Sequence, residues 1–165
     1  MKYWIVVIFT LVIFSSCSLN DINSSVQTVD MGKFPGLRII QIASVNYPES
    51  IAVANNSRFF SDKDKDNFSD SLIQSLKRSD VRVLPSAQTK IHIDFINLAT
   101  QKDSTGSPIT LAANVIVSRN GIITRKTIEI SSKAKRNVGA TKSNSVKMFL
   151  QELGNLLREQ SSFKR

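Results

Sequence analysis

Asn120-Gly121 constrains this 165-residue chain more than any other pair of neighbours. A type I′ turn needs positive φ at both central positions, and Asn-Gly supplies it. Alternating runs over 111–119 and 122–130 flank the pair. A two-residue loop sets Arg119 opposite Ile122, so partner numbers sum to 119 + 122 = 241. Leu111 then faces Ile130 and Ala113 faces Ile128, with Val115 and Val117 on the same side. Asn114, Ser118, Arg125, Thr127 and Glu129 fall on the other. A slip of one residue would reverse both sides, so agreement between register and polarity specifies the hairpin.

The rest of the chain gives that hairpin a sheet to join and helices to cover it. Residues 37–45 read as a strand with apolar groups on both faces: Leu37, Ile39, Gln41, Ala43 and Val45 on one, Ile40 and Ile42 on the other. Pro48 ends it, having no amide to give a ladder. Residues 51–60 read as a short strand or loop. A helix is expected over 61–79, where Phe68, Leu72 and Leu76 recur every fourth residue beside Ile73. Its carboxylates Asp62, Asp64 and Asp66 and its cations Lys77 and Arg78 sit at the ends that suit the macrodipole. A short strand over 81–84 stops at Pro85. Residues 89–98 alternate, with Ile91, Ile93 and Phe95 inward and Lys90, His92 and Asp94 outward. A polar turn over 101–108 leads into the hairpin, and a basic, glycine-containing loop over 131–142 leaves it. Ser143 or Ser145 can cap a closing helix whose stripe is Val146, Phe149, Leu150, Leu153, Leu156 and Leu157. Six large residues on one side need a sheet to cover. The expected fold is α+β: one mostly antiparallel sheet of about four to five strands, with two helices packed on one face. It forms a single domain over 37–160, followed by a polar tail over 161–165.

The first residues belong to a different kind of segment. Met1-Lys2 is a short positive start, residues 3–14 are apolar, and Ser15-Ser16 precede Cys17, the one cysteine of the chain. About 20 apolar residues are needed to cross a bilayer, and this run is shorter. The layout is that of an export signal over 1–16, and its end resembles the lipobox of bacterial lipoproteins. That resemblance implies cleavage before Cys17 and acylation of its thiol and new amine. Phe14 stands where that group usually has Leu or a small aliphatic residue. Residues 17–36 are then the lipidated cysteine and a polar tether ending in Pro35-Gly36, though Val26, Val29 and Phe34 would allow part of it to dock. Fully extended, such a tether would hold the domain tens of ångströms from the bilayer.

Charge is uneven. Residues 18–100 carry nine Lys/Arg and nine Asp/Glu, whereas 101–165 carry twelve against four, or +8. Lys133, Lys135, Arg136, Lys142 and Lys147 hold much of that excess. It reads either as a solvated basic face or as a contact for anionic lipid through Lys133, Lys135, Arg136 and Lys142, where each cation near a charged bilayer contributes about 1 kcal/mol. Nucleic acid is not an expected partner, because the basic region lacks interleaved aromatics for stacking.

Catalytic equipment is sparse. His92, the lone histidine, sits on the wet side of a strand with no partners for a triad or zinc site. Asp62, Asp64 and Asp66 have the spacing of an EF-hand loop, but Asn67 and Ile73 stand where that loop requires Gly and Glu. The expectation is a non-catalytic module with no metal and no cofactor.

With these residues laid out, the stretches RIIQIASVNYP, NFSDSLIQSL, VRVLP and IHIDFINL, followed by a hairpin and a closing helix, resemble the ABC-type transport auxiliary lipoprotein group. YajG-like and LptE-like lipoproteins share that plan. Phe68 stands where the group's first helix carries a Trp. The resemblance implies a lipid-anchored accessory subunit on the bacterial outer membrane, facing the periplasm and serving a transport or assembly complex. Ser18 after the cysteine fits outer-membrane sorting in enteric bacteria. A structural ring subunit and a lipid carrier are the alternatives.

Overall fold

The computed structural model describes residues 23–48, 60–100, 109–133 and 137–162. The signal over 1–16, Cys17, residues 51–59, the turn over 101–108, Lys135, Arg136 and the last three residues lie outside them.

Five strands and two helices follow in the order β1 (Ile39–Asn46), α1 (Asp62–Arg78), β2 (Arg82–Val83), β3 (Lys90–Thr100), β4 (Ile109–Arg119), β5 (Ile122–Ser132) and α2 (Val138–Ser162). They form one sheet of order β2-β1-β3-β4-β5. The long ladders β3–β4 and β4–β5 are antiparallel, while β1 runs parallel to both its neighbours. The fold is α+β, with a mostly antiparallel five-stranded sheet and two helices.

The hairpin has the register its turn dictates: Leu111 pairs with Ile130, Ala113 with Ile128 and Arg119 with Ile122. Asn120 and Gly121 have φ of 51° and 78°. β3 turns Ile91, Ile93 and Phe95 into the core. His92 lies on the other face, its Nδ1 3.0 Å from the Ser44 hydroxyl. β1 departs from simple alternation. A bulge between Ile42 and Ser44 shifts its register against β3, which brings Val45 to the core side with Ile40 and Ile42. One extra residue in a strand reverses every side chain after it.

α1 is capped as its sequence requires. Ser61 accepts from the Asp64 amide, and the Asp64 carboxylate accepts in return from the Ser61 amide at 2.9 Å. The three aspartates with EF-hand spacing, Asp62, Asp64 and Asp66, therefore open a helix. Phe68, Leu72 and Leu76 are wholly buried. Phe68, Phe95 and Phe149 bring α1, β3 and α2 together, with ring centroids 5.0 to 5.8 Å apart. Tyr47 stacks on Phe95 at 5.1 Å, and burial pushes its hydroxyl up to about 12.

Two boundaries differ from the sequence reading. The expected loop over 131–142 is already helical from Val138, because Asn137 caps it: the Ala140 amide donates to Asn137 Oδ1 at 2.7 Å. The expected tail begins helical as well. α2 runs to Ser162, and the Ser161 and Ser162 hydroxyls donate to the Arg158 carbonyl at 2.8 and 2.9 Å. Among the described residues, no helix is long and apolar enough to cross a membrane.

Candidate functional site: a strap seated between two helices

The stretch read as a tether packs instead as a strap over residues 23–34. Val29, Met31 and Phe34 are buried in the main core. An extended segment with buried amides needs acceptors, and α1 supplies them from one side. Asn67, Ser71, Ser75 and Ser79 recur every fourth residue, beside the apolar stripe. The amides of Gln27, Val29 and Met31 donate to the hydroxyls of Ser71, Ser75 and Ser79 at 2.8, 2.9 and 3.2 Å. Two periods meet here. Two residues of extended chain advance roughly 6.7 Å, and four residues of helix advance about 6.0 Å. The mismatch is small enough for three consecutive bonds, which lengthen along the strap. The Ser75 hydroxyl also lies 3.4 Å from the Gln27 carbonyl, and Thr28 Oγ1 donates to Gln74 Oε1 at 2.9 Å.

α2 forms the opposite wall. The Ser25 amide donates to Ser143 Oγ at 2.8 Å, and the Arg158 guanidinium donates to the Met31 carbonyl. Gly154 gives Met31 its place: a Cβ on Gly154 would stand 2.9 Å from the Met31 Cβ and 3.1 Å from its carbonyl oxygen. Gly32, at φ 79°, then turns the chain past Arg158.

The N-terminal end of the strap is fixed by charge. The Asp64 carboxylate accepts from the Ser24 amide, from the Ser61 amide and, at 2.5 Å, from Lys142 Nζ. Asn67 Nδ2 donates to the Ser24 carbonyl. Asp64 is fully buried and Lys142 is 4% exposed, with its ammonium 5.5 Å from the Phe60 ring centroid. Burial pushes the Asp64 carboxyl up, but hydrogen bonds from Lys142, Ser24 and Ser61 outweigh it and hold the group below the usual carboxylate range. One acid thus joins the strap, the cap of α1 and the first turns of α2. The Ser24 hydroxyl is buried beside this junction without a hydrogen-bond partner.

These contacts correct one expected residue role. Lys142 does not face an anionic surface; its charge is taken up inside the fold by Asp64. Lys133 is exposed after β5. Lys147 is also exposed and borders a hollow of about 410 Å³ with Asn23, Ser25 and Asn137. Sequence reasoning passed over Ser71, Ser75, Ser79, Gly154 and Asp64 as strap contacts. The three serines share one signal, a row of small polar residues at helical spacing alongside an apolar stripe; Gly154 and Asp64 lie outside that row.

No protein-family model matches the chain, and no curated protein matches its sequence. Solved structures do share its architecture. A protein of Xanthomonas campestris assigned to family model DUF330 is similar with a TM-score of 0.54 and 8% identity, over 86% of this chain and 98% of that one. A second, described only as an uncharacterized protein, gives 0.53 and 9%, over 84% of this chain and 100% of that one. The likeness is one of fold.

Proposed function

We propose that the chain is a lipid-anchored, non-catalytic envelope module: an accessory subunit that stabilises or recruits a transport or assembly complex from the bacterial outer membrane, with its domain facing the periplasm. The strap carries this reading. With residues 23–34 seated, only the five residues 18–22 separate an acylated Cys17 from the folded chain, a reach of roughly 20 Å from Cys17 to Asn23. Asn23 accepts from the Ser61 hydroxyl at 2.9 Å, so the anchor leaves beside the first turn of α1. That end of the molecule then faces the bilayer, with Lys133 among the cations available to anionic head groups and Lys135 and Arg136 following it in sequence. The space between helices and sheet holds Phe68, Phe95 and Phe149, and the groove between the helices holds the strap. Both favour docking of partners over carriage of lipid.

Expression with radiolabelled palmitate tests the anchor. The natural chain should take up label and sediment with membranes; Cys17→Ala should do neither. A variant that still fractionates with membranes would overturn the reading.

A further inference from the structure

The end of the molecule opposite the anchor gathers cations from four separate parts of the chain. Two hollows, of about 510 and 410 Å³, meet at Arg38 just before β1. Their linings contribute Arg38, Lys77, Arg82 and Arg119 against the single carboxylate of Asp80, or 4 − 1 = +3. Lys77 has a local reason to be there, since it sits in the last turn of α1. Arg38 and Arg82 have none. The Arg82 amide donates to the Arg38 carbonyl at 2.9 Å, so register alone sets two like charges on adjoining strands. Arg38, Lys77, Arg82 and Asp80 are exposed, and the salt bridges among the described residues are Lys65–Asp62 and Lys142–Asp64. Cations gathered in excess of their one counter-charge repel one another, and an anionic partner relieves that cost.

The shape restricts what that partner can be. The larger hollow is concave, lined by polar Ser86, Gln88, Thr89 and Asn120 as well as by Ile39 and Leu84, a shape that a flat bilayer cannot fill. Beside it runs β2, an edge strand of the sheet. The amides of Arg82 and Leu84 point to β1, which leaves Val83 with its backbone groups outward. An extended segment can pair there while its side chains reach the cations.

We propose that this surface docks an extended acidic segment of a partner protein. Its orientation relative to the bilayer rests on the proposed anchor, whereas the site and the chemistry of its ligand do not, and these go beyond the proposed function. α1, about 25 Å long, separates it from the anchored end, so the site points away from the bilayer.

The test is fluorescence anisotropy of the full chain in neutral detergent micelles with a labelled ten-residue peptide of alternating Glu and Val, at low salt. The peptide should bind, and added salt should weaken it as the Debye length shrinks. Arg38→Glu/Arg82→Glu should weaken binding about tenfold or more, while the equally charge-changing Lys63→Glu/Lys147→Glu should change it less than about twofold. Arg38→Gln/Arg82→Gln, checked by circular dichroism, covers the case in which reversal prevents folding; it should weaken binding in the same direction. Equal losses in the two Glu pairs would reduce the site to general attraction and overturn the proposal. So would an absence of peptide binding, or phosphatidylglycerol vesicles that depend on Arg38 and Arg82 where the peptide does not.

Discussion

Replacing Lys142 with Met keeps an unbranched side chain one atom shorter and removes its charge, leaving the Asp64 carboxylate buried. At an effective dielectric of about 20, unit charges 2.5 Å apart attract by roughly 6–7 kcal/mol before desolvation is subtracted. Removing one partner of a buried pair typically costs about 3–5 kcal/mol. Asp64 keeps the Ser24 and Ser61 amides, so the lower end applies: about 3 kcal/mol at pH 7, or a fall in Tm of roughly 10 °C for a domain of this size. The loss should depend on pH. In the natural chain the folded carboxyl lies below its unfolded value, so its contribution is complete above about pH 4 and fades as pH falls through the folded pKa. The gap between natural chain and variant should therefore be full at pH 7 and narrow below about pH 4. Urea unfolding followed by far-UV circular dichroism measures it at each pH. Asp64→Asn combined with Lys142→Met should be more stable than Lys142→Met alone, because no buried charge remains, although the amide oxygen can replace only one of the two oxygens that accept from Ser24 and Ser61. A gap under about 1 kcal/mol at pH 7, or one unchanged at pH 3, would refute the ion pair as the fastening of the strap.

Three further substitutions separate the parts of the strap seat. Ser75→Ala leaves the buried Val29 amide without its acceptor; it should cost about 1–3 kcal/mol and speed hydrogen exchange at Val29 far more than at Ile93 in the sheet. Gly154→Ala gains roughly 1 kcal/mol of helix propensity but drives a methyl into Met31. The clash should dominate, for a net loss of about 1–2 kcal/mol in the same urea assay. Ser24→Ala removes a buried hydroxyl that has no partner, so stability should be unchanged or slightly raised, by up to about 1 kcal/mol.

What could be read from residues alone depended on whether an element declares itself. The hairpin does, because Asn120-Gly121 fixes a two-residue loop and everything after it is counting. α1 does, through its apolar stripe and the charges at its ends. β1 is only partly readable: the bulge after Ile42 leaves no mark in composition, and the parallel pairings of β1 depend on where α1 returns the chain. The strap has no period of its own. Its signature lies on another element, in Asn67, Ser71, Ser75 and Ser79, each unremarkable on a helix surface. By composition Lys142 is one more cation in a basic stretch. Its position carried the better clue: Lys142, Val146, Phe149 and Leu153 lie on one helical face, and a cation on an apolar stripe needs a buried acid.

Residues 23–34 find their partners about 40 to 48 positions later on α1 and 118 to 127 positions later on α2. Contacts across such separations form slowly, and one wall of this seat is built from α2, which follows every other element of the domain in the chain. The earliest part of the domain to emerge is therefore among the last to find its place. Until α2 arrives, a partner or chaperone could intercept that stretch; afterwards it is closed.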